Sequence, residues 1–268
     1  MAKRLLSAAV GIPLVAALVG LAPAWLFAAF ILALAAVAQL ELYRMFERVG
    51  VAADRGVGVA LGSAVVLGFA LDDPVRPWVL PLLLSLAVGT ALSLGLCQDG
   101  PGLDWTRAAL TLLGVWYCAW LLGHAIWLRR LPEGAALLLL LLAVTWSGET
   151  AAYVVGRRWG RVRLAPRISP AKTVEGAVAQ AAVSVAVAGL GGWALGLPPV
   201  HATAVGLVLG VVGQIGDLVE SFLKRSAQTK DAGGLLPGHG GLLDRLDSLL
   251  FNVPALYYYS RLLLTHTS

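Results

Sequence analysis

The chain has 268 residues, 59% of them hydrophobic and 13% charged, with a mean hydropathy of +0.81. A soluble domain carries roughly 25% charged residues, so this chain has too little polar surface to cover a water-soluble particle. The formal net charge of +5 does not call for nucleic acid: no basic patch is interleaved with aromatics, and Lys and Arg in the cytoplasmic loops of a membrane protein give such a balance.

The composition predicts an all-α fold, a polytopic integral membrane helical bundle. A transmembrane barrel needs alternating strands of about ten residues, and apolar runs such as 135–144 argue against it. Nine apolar segments are long enough to span or nearly span: roughly 5–22, 24–43, 56–71, 78–97, 107–128, 134–156, 174–196, 200–223 and 248–264. Lys3 and Arg4 before an apolar run resemble a signal peptide. No small-residue cleavage site is evident and a second span follows at once, so an uncleaved first helix is expected. Only Ala22 and Pro23 separate the first two segments, which suits a tight hairpin. The third is short for a crossing of about 20 residues and reads as spanning or re-entrant.

Loop charges orient the bundle. The stretch 157–173 holds Arg157, Arg158, Arg161, Arg163, Arg167 and Lys172 and no acid, which the positive-inside rule places in the cytoplasm. The uncharged turn at Pro198 and Pro199 suits the far side, and 224–247 then returns to the cytoplasm. Arg129 and Arg130 fall outside and count against this arrangement. Two regions follow. Residues 1–133 read as a transmembrane scaffold offering lipid access or dimer contacts, and 134–268 as a catalytic transmembrane region with a cytoplasmic-facing site. Before residue 144 the charges are read as lying in loops, and no span is assigned chemistry. His124 reads as a packed, hydrogen-bonded residue, and Cys97 and Cys118 as packing residues without metal-ligand spacing.

Polar groups enter the spans from Thr145 onward. Glu149 sits near the end of the sixth segment beside Ser147 and Thr150. An ionisable residue at membrane depth is costly, so Glu149 is either a functional acid or a group that fixes helix packing. Ser169 followed by Pro170 predicts a helix start. Lys172 and Thr173 would then lie in its first turn, where free N–H groups favour phosphate. The same pattern also fits an ordinary capped helix with a solvated lysine.

The densest stretch is 217–248. Asp217, Ser221 and Lys224 recur at i, i+4 and i+7, on one helix face: a carboxylate, a hydroxyl and an ammonium suited to a metal and a phosphate. Glu220 fits a plain salt bridge with Lys224. Lys230, Asp231, then Pro237, Gly238, His239, Gly240 and Gly241 form a turn that lets backbone approach phosphates. Asp244, Arg245, Asp247 and Ser248 follow. Mg²⁺ takes one or two carboxylates plus phosphate oxygens, and Asp217 with Asp244 could supply that pair.

This pattern resembles the signature of the phosphatidate cytidylyltransferases (CDP-diacylglycerol synthases). The residues that carry it are Ser221, Lys224, Arg225, Lys230, Asp231, Gly233, Pro237, His239, Gly240, Gly241, Asp244, Arg245 and Asp247. Upstream, Gly216–Ser221, Ser169–Gly176 and Ala152–Arg157 match too, so residues 145–250 are covered, and the N-terminal half only by hydropathy. Glu149 departs from the family's usual Asp, and Ala171 stands where a second lysine is common.

The resemblance implies transfer of a cytidylyl group from CTP to phosphatidate in phospholipid biosynthesis, giving CDP-diacylglycerol and pyrophosphate. It implies Mg²⁺, with a second, monovalent cation open, and a homodimer in the bacterial inner membrane. Asp217, Lys224, Asp244 and Asp247 become catalytic residues. Asp217 and Asp244, with Asp231 and Glu149 behind them, become metal ligands. Ser169, Lys172, Thr173, Ser221, Arg225, Lys230, His239 and Arg245 become substrate contacts. The alternatives are a related CTP-dependent lipid enzyme, such as an archaeol-phosphate cytidylyltransferase or a polyprenol kinase, or a cation-coupled transporter.

Overall fold

The structure, a computed structural model, describes residues 2–72, 78–96, 105–233 and 240–264. His239 lies outside the described residues, as does Cys97. Helices follow the apolar segments closely: α1 (Ala2–Leu21), α2 (Ala24–Glu47), α3 (Arg55–Leu71), α4 (Val79–Leu96), α5 (Trp105–Gly114), α6 (Leu121–Arg130), α7 (Gly134–Trp159), α8 (Val174–Ala194), α9 (Pro199–Ser226) and α10 (Leu243–Tyr259). A π-helical stretch, Val115–Trp120, joins α5 to α6 without a break, and another, Ser260–Leu264, extends α10. With one short hairpin besides, this is the architecture of an all-α membrane protein.

The count of nine spans is not confirmed. Among the described residues, five helical stretches are long and apolar enough to cross a membrane: Ala24–Glu47, Trp105–Arg130, Gly134–Trp159, Val174–Ala194 and Pro199–Ser226. Arg55–Leu71 is apolar but shorter. At 1.5 Å per residue, a helix of 17 residues falls short of a hydrocarbon core of about 30 Å.

Two compact units form, Met1–Trp127 with Ala227–Asp244, and Leu128–Ser226 with Arg245–Ser268. In the first, α2 supplies the central polar contacts. Gln39 and Tyr43, one turn apart, are both fully buried. The Tyr43 hydroxyl donates to the Thr111 carbonyl at 2.8 Å, and Gln39 Nε2 donates to the Gly58 carbonyl at 3.0 Å. Between apolar helices in lipid, close approach of small residues and such hydrogen bonds replace the hydrophobic effect as the cohesive force. Around Phe69 the rings of Trp120, His124 and Trp127 pack at centroid distances of 5.2, 4.8 and 4.7 Å. His124 Nδ1 lies 2.8 Å from the Trp120 carbonyl.

One expectation for this half is corrected. The sequence reading confines its charges to loops, yet Glu41 lies within α2 and is 3% exposed. Helical periodicity turns it inward, where a backbone N–H meets it.

In the second unit, α8 packs against both α7 and α9. Small residues set the spacing. A Cβ on Gly206 would come within 2.5 Å of the Val185 backbone, and one on Gly216 within 2.6 Å of the Asp247 carbonyl. Asn252 of α10, fully buried, donates to Thr145 Oγ1 of α7 at 2.9 Å.

Between α7 and α8 the chain makes an antiparallel hairpin, β1 (Arg163–Ala165) with β2 (Ser169–Thr173), pairing Arg163 with Thr173 and Ala165 with Ser169. This overturns the helix start expected at Ser169 and Pro170. The cap is Thr173, whose Oγ1 accepts from the Gly176 N–H at 3.2 Å. A hydroxyl three residues before the N–H it accepts from is the ordinary cap geometry. The sequence offers two hydroxyls with that spacing option, and strand pairing selects the later one.

Candidate active site

A cleft of about 460 Å³ opens in the second unit, walled by the C-terminal half of α7, the hairpin, α8 and α9. Its floor is polar although its walls come from apolar helices. Glu149 enters from α7, Lys172 from β2, Gln180 from α8, and Gln214 and Asp217 from α9. Gly156 and Gly176, which also line it, keep α7 and α8 close: a Cβ on Gly176 would lie 2.8 Å from the Ala152 carbonyl. Arg157 and Arg163 line the cleft as exposed cations, and Arg157 donates to the Tyr153 hydroxyl at 2.8 Å.

Lys172 and Asp217 meet at 2.7 Å, with side chains 17% and 31% exposed. The strand, not a helix turn, aims the lysine across at α9. Asp217 continues the stripe read from the sequence. Ser221 Oγ donates to its Oδ1 at 3.5 Å, and Lys224 lies a further turn on, paired with Glu220. Arg225 turns back to the hairpin, where its Nε donates to the Ile168 carbonyl at 3.1 Å. Ser169 is half-buried on β2, and the Thr173 hydroxyl caps α8.

Asp217, Glu220 and Asp247 form an acidic cluster. One carboxylate oxygen from each lies within 4.8 Å of the others. Glu149 lines the same cleft as Asp217 and Lys172. Three carboxylates at that spacing repel unless cations compensate. Lys172 and Lys224 supply two positive charges, and the all-oxygen donor set fits a hard divalent ion such as Mg²⁺.

The first unit holds Lys230, Asp231 and Asp244. Lys230 and Asp231 are not deeply buried. Asp244, for which the resemblance implies a metal role, accepts from the Gly241 N–H at 2.8 Å and the Ala232 N–H at 3.2 Å. Its carboxylate thereby ties together two points nine residues apart in the chain.

Sequence reasoning does not single out several of these groups. It gives Glu220 only a salt bridge, and that bridge is present, but the residue also belongs to the acidic cluster. Gln180 and Gln214 escape it. Their signal is an amide inside an otherwise apolar helix, which marks a satisfied or functional position. Tyr153, which also lines the cleft, is read from the sequence only as part of the Ala152–Arg157 match.

The cytidylyltransferase family model matches residues 2–263. A phosphatidate cytidylyltransferase of Synechocystis sp. is 42% identical over 157 residues, 58% of this chain and 52% of that protein. One of Brucella suis is 46% identical over 136 residues, 48% of each chain. One of Staphylococcus aureus is 32% identical over 237 residues, 84% of this chain and 85% of the relative. The chain therefore spans about half the length of the first two relatives and most of the third.

Proposed function

The chain belongs to the cytidylyltransferase family, and from that premise we propose that it transfers a cytidylyl group from CTP to phosphatidate. A phosphate oxygen of the lipid bonds to the α-phosphorus of CTP, the bond to the β-phosphate oxygen breaks, and pyrophosphate leaves with its electron pair. The lipid phosphate is anionic at neutral pH, so no strong general base is required. The work is to hold two anions together and stabilise the leaving group by charge and position. One observation carries the reading: the Lys172–Asp217 pair, beside an acidic cluster, on the floor of a polar cleft walled by apolar helices.

Asp217, Asp247 and Glu220 would hold Mg²⁺, which supplies charge neutralisation to phosphate oxygens when bound. Lys172 and Lys224 orient and neutralise phosphate oxygens. Arg157 and Arg163 bring anions to the cleft, and Arg225 braces the hairpin that presents Lys172. Lys230 and Arg245 are further phosphate contacts, and Glu149 adjusts the charge balance beside Asp217. In this reading the site faces the cytoplasm of a bacterial inner membrane, the arginine-rich 157–173 stretch obeys the positive-inside rule, and the shorter helices complete a nine-span homodimeric protein. Residues 1–133 act mainly as scaffold and 134–268 as the catalytic region.

The test is release of pyrophosphate from CTP by the purified chain in detergent with Mg²⁺, on addition of phosphatidate. The reading predicts release only when lipid, nucleotide and metal are all present, with CDP-diacylglycerol as coproduct. Phosphatidate-independent release, or none with any of the three varied, would overturn it.

A further inference from the structure

Glu41 is a carboxylate in the C-terminal third of an apolar helix, 3% exposed, in the part of the chain to which the sequence assigns no chemistry. Its Oε2 accepts from the Leu243 N–H at 2.8 Å. Leu243 is the first residue of α10, so the carboxylate sits at a helix N-terminus, where negative charge is favoured. Two glycines close over the same carboxylate. A Cβ on Gly233 would lie 2.6 Å from Oε1, and one on Gly241 2.7 Å from Oε2. Any side chain at either position would strike the acid, so the backbone can approach only because both are glycine. No hydrogen-bond donor reaches Oε1 among the described residues.

A buried carboxylate is costly unless it is paired. Mere packing in α2 would be served by an apolar residue of similar volume. What Glu41 touches is the stretch flanked by Lys230 and Asp231 on one side and Asp244 on the other: Gly233 near its start, Gly241 and Leu243 at its end. Asp244 makes the reciprocal contacts from α10, to the Ala232 and Gly241 N–H groups. Two acids, one on α2 and one on α10, thus clasp the same pair of backbone ends.

We infer that Glu41 is a positioning residue: it pins the two ends of the Ala232–Leu243 segment to α2 and so sets where Lys230, Asp231 and Asp244 stand. Its consequence for turnover rests on the proposed cytidylyl transfer; the pinning itself does not.

The test uses the full chain in detergent and two readouts. Hydrogen exchange of peptides covering 227–250 reads the clasp, and kcat and KM for CTP read its consequence. Glu41→Ala should raise exchange at Gly241 and Leu243 by about tenfold or more while α7–α9 keep the parent's protection. It should also lower kcat/KM by about tenfold or more. Glu41→Gln, which retains an acceptor for the Leu243 N–H, should restore most of the protection. Should Glu41→Ala fail to fold, Gly241→Ala takes its place, with the same local loss of protection expected. Unchanged exchange at Gly241 and Leu243, or loss spread evenly over all helices, overturns the inference. Lost protection with kcat/KM within about threefold of an active parent overturns the positioning role. Local loss of protection in a parent that releases no pyrophosphate leaves the clasp standing and refutes the proposed reaction instead.

Discussion

Lys172 Nζ stands 2.7 Å from Asp217 Oδ2, across the gap between a strand and a transmembrane helix. Neither residue is exposed enough for water to screen the pair fully. Before substrate arrives, the lysine occupies the acid. In the proposed reaction a phosphate or a divalent ion would compete for one partner and free the other, so the two should act as a unit.

That coupling is measurable. Lys172→Met and Asp217→Asn should each lower kcat/KM by about 100-fold or more, the scale of losing a group that stabilises transition-state charge. The double variant should lose much less than the product of the two single losses. Pyrophosphate release from CTP checks this, and strictly multiplicative losses would show that the residues act independently.

Metal dependence should be traceable to the acidic cluster. Chelation should abolish turnover and added Mg²⁺ restore it. Asp247→Asn should raise the Mg²⁺ concentration giving half-maximal rate by about tenfold or more, since a carboxylate ligand is replaced by a weaker neutral oxygen donor. An unchanged Mg²⁺ titration would remove Asp247 from the metal's ligands.

Glu149 is one methylene longer than the acid usual in the family. Because it lines the cleft with Lys172 and Asp217, its charge should matter more than its reach. Glu149→Asp should therefore stay within about threefold of the parent, while Glu149→Gln loses about tenfold or more. Equal losses for the two would make length, not charge, the requirement.

The helix spacing of the second unit makes a prediction about stability alone. Gly206→Leu would drive a side chain into the Val185 and Ser184 backbone, and overpacking of this kind costs about 1–3 kcal/mol. Thermal unfolding in detergent should shift downward accordingly. An unshifted transition would show that α8 and α9 can separate at no cost.

Much of the fold is legible in the residue order itself. Apolar runs locate each helix to within a few residues, because a lipid-facing segment must satisfy its backbone internally and so must be helical. Two of the candidate site's residues are legible for the same reason: Asp217 and Glu149 are charges where lipid penalises charge. The face shared by Asp217, Ser221 and Lys224 follows from the helical repeat alone.

Contacts remote in sequence are decided only by the fold. Ser169–Thr173 carries a cap signal that local chemistry reads as a helix, and pairing with Arg163–Ala165 makes it a strand. That single change redirects Lys172 toward Asp217. Glu220 joins Asp247 across two helices, and Glu41 meets Leu243 over 202 positions of chain. Periodicity and hydropathy report which side of a helix is buried. They carry no information about which other segment arrives there, because that depends on packing between surfaces whose partners are not neighbours in sequence. The chain's own chemistry thus determined the helices and the candidate groups, and tertiary packing decided which of those groups lie together.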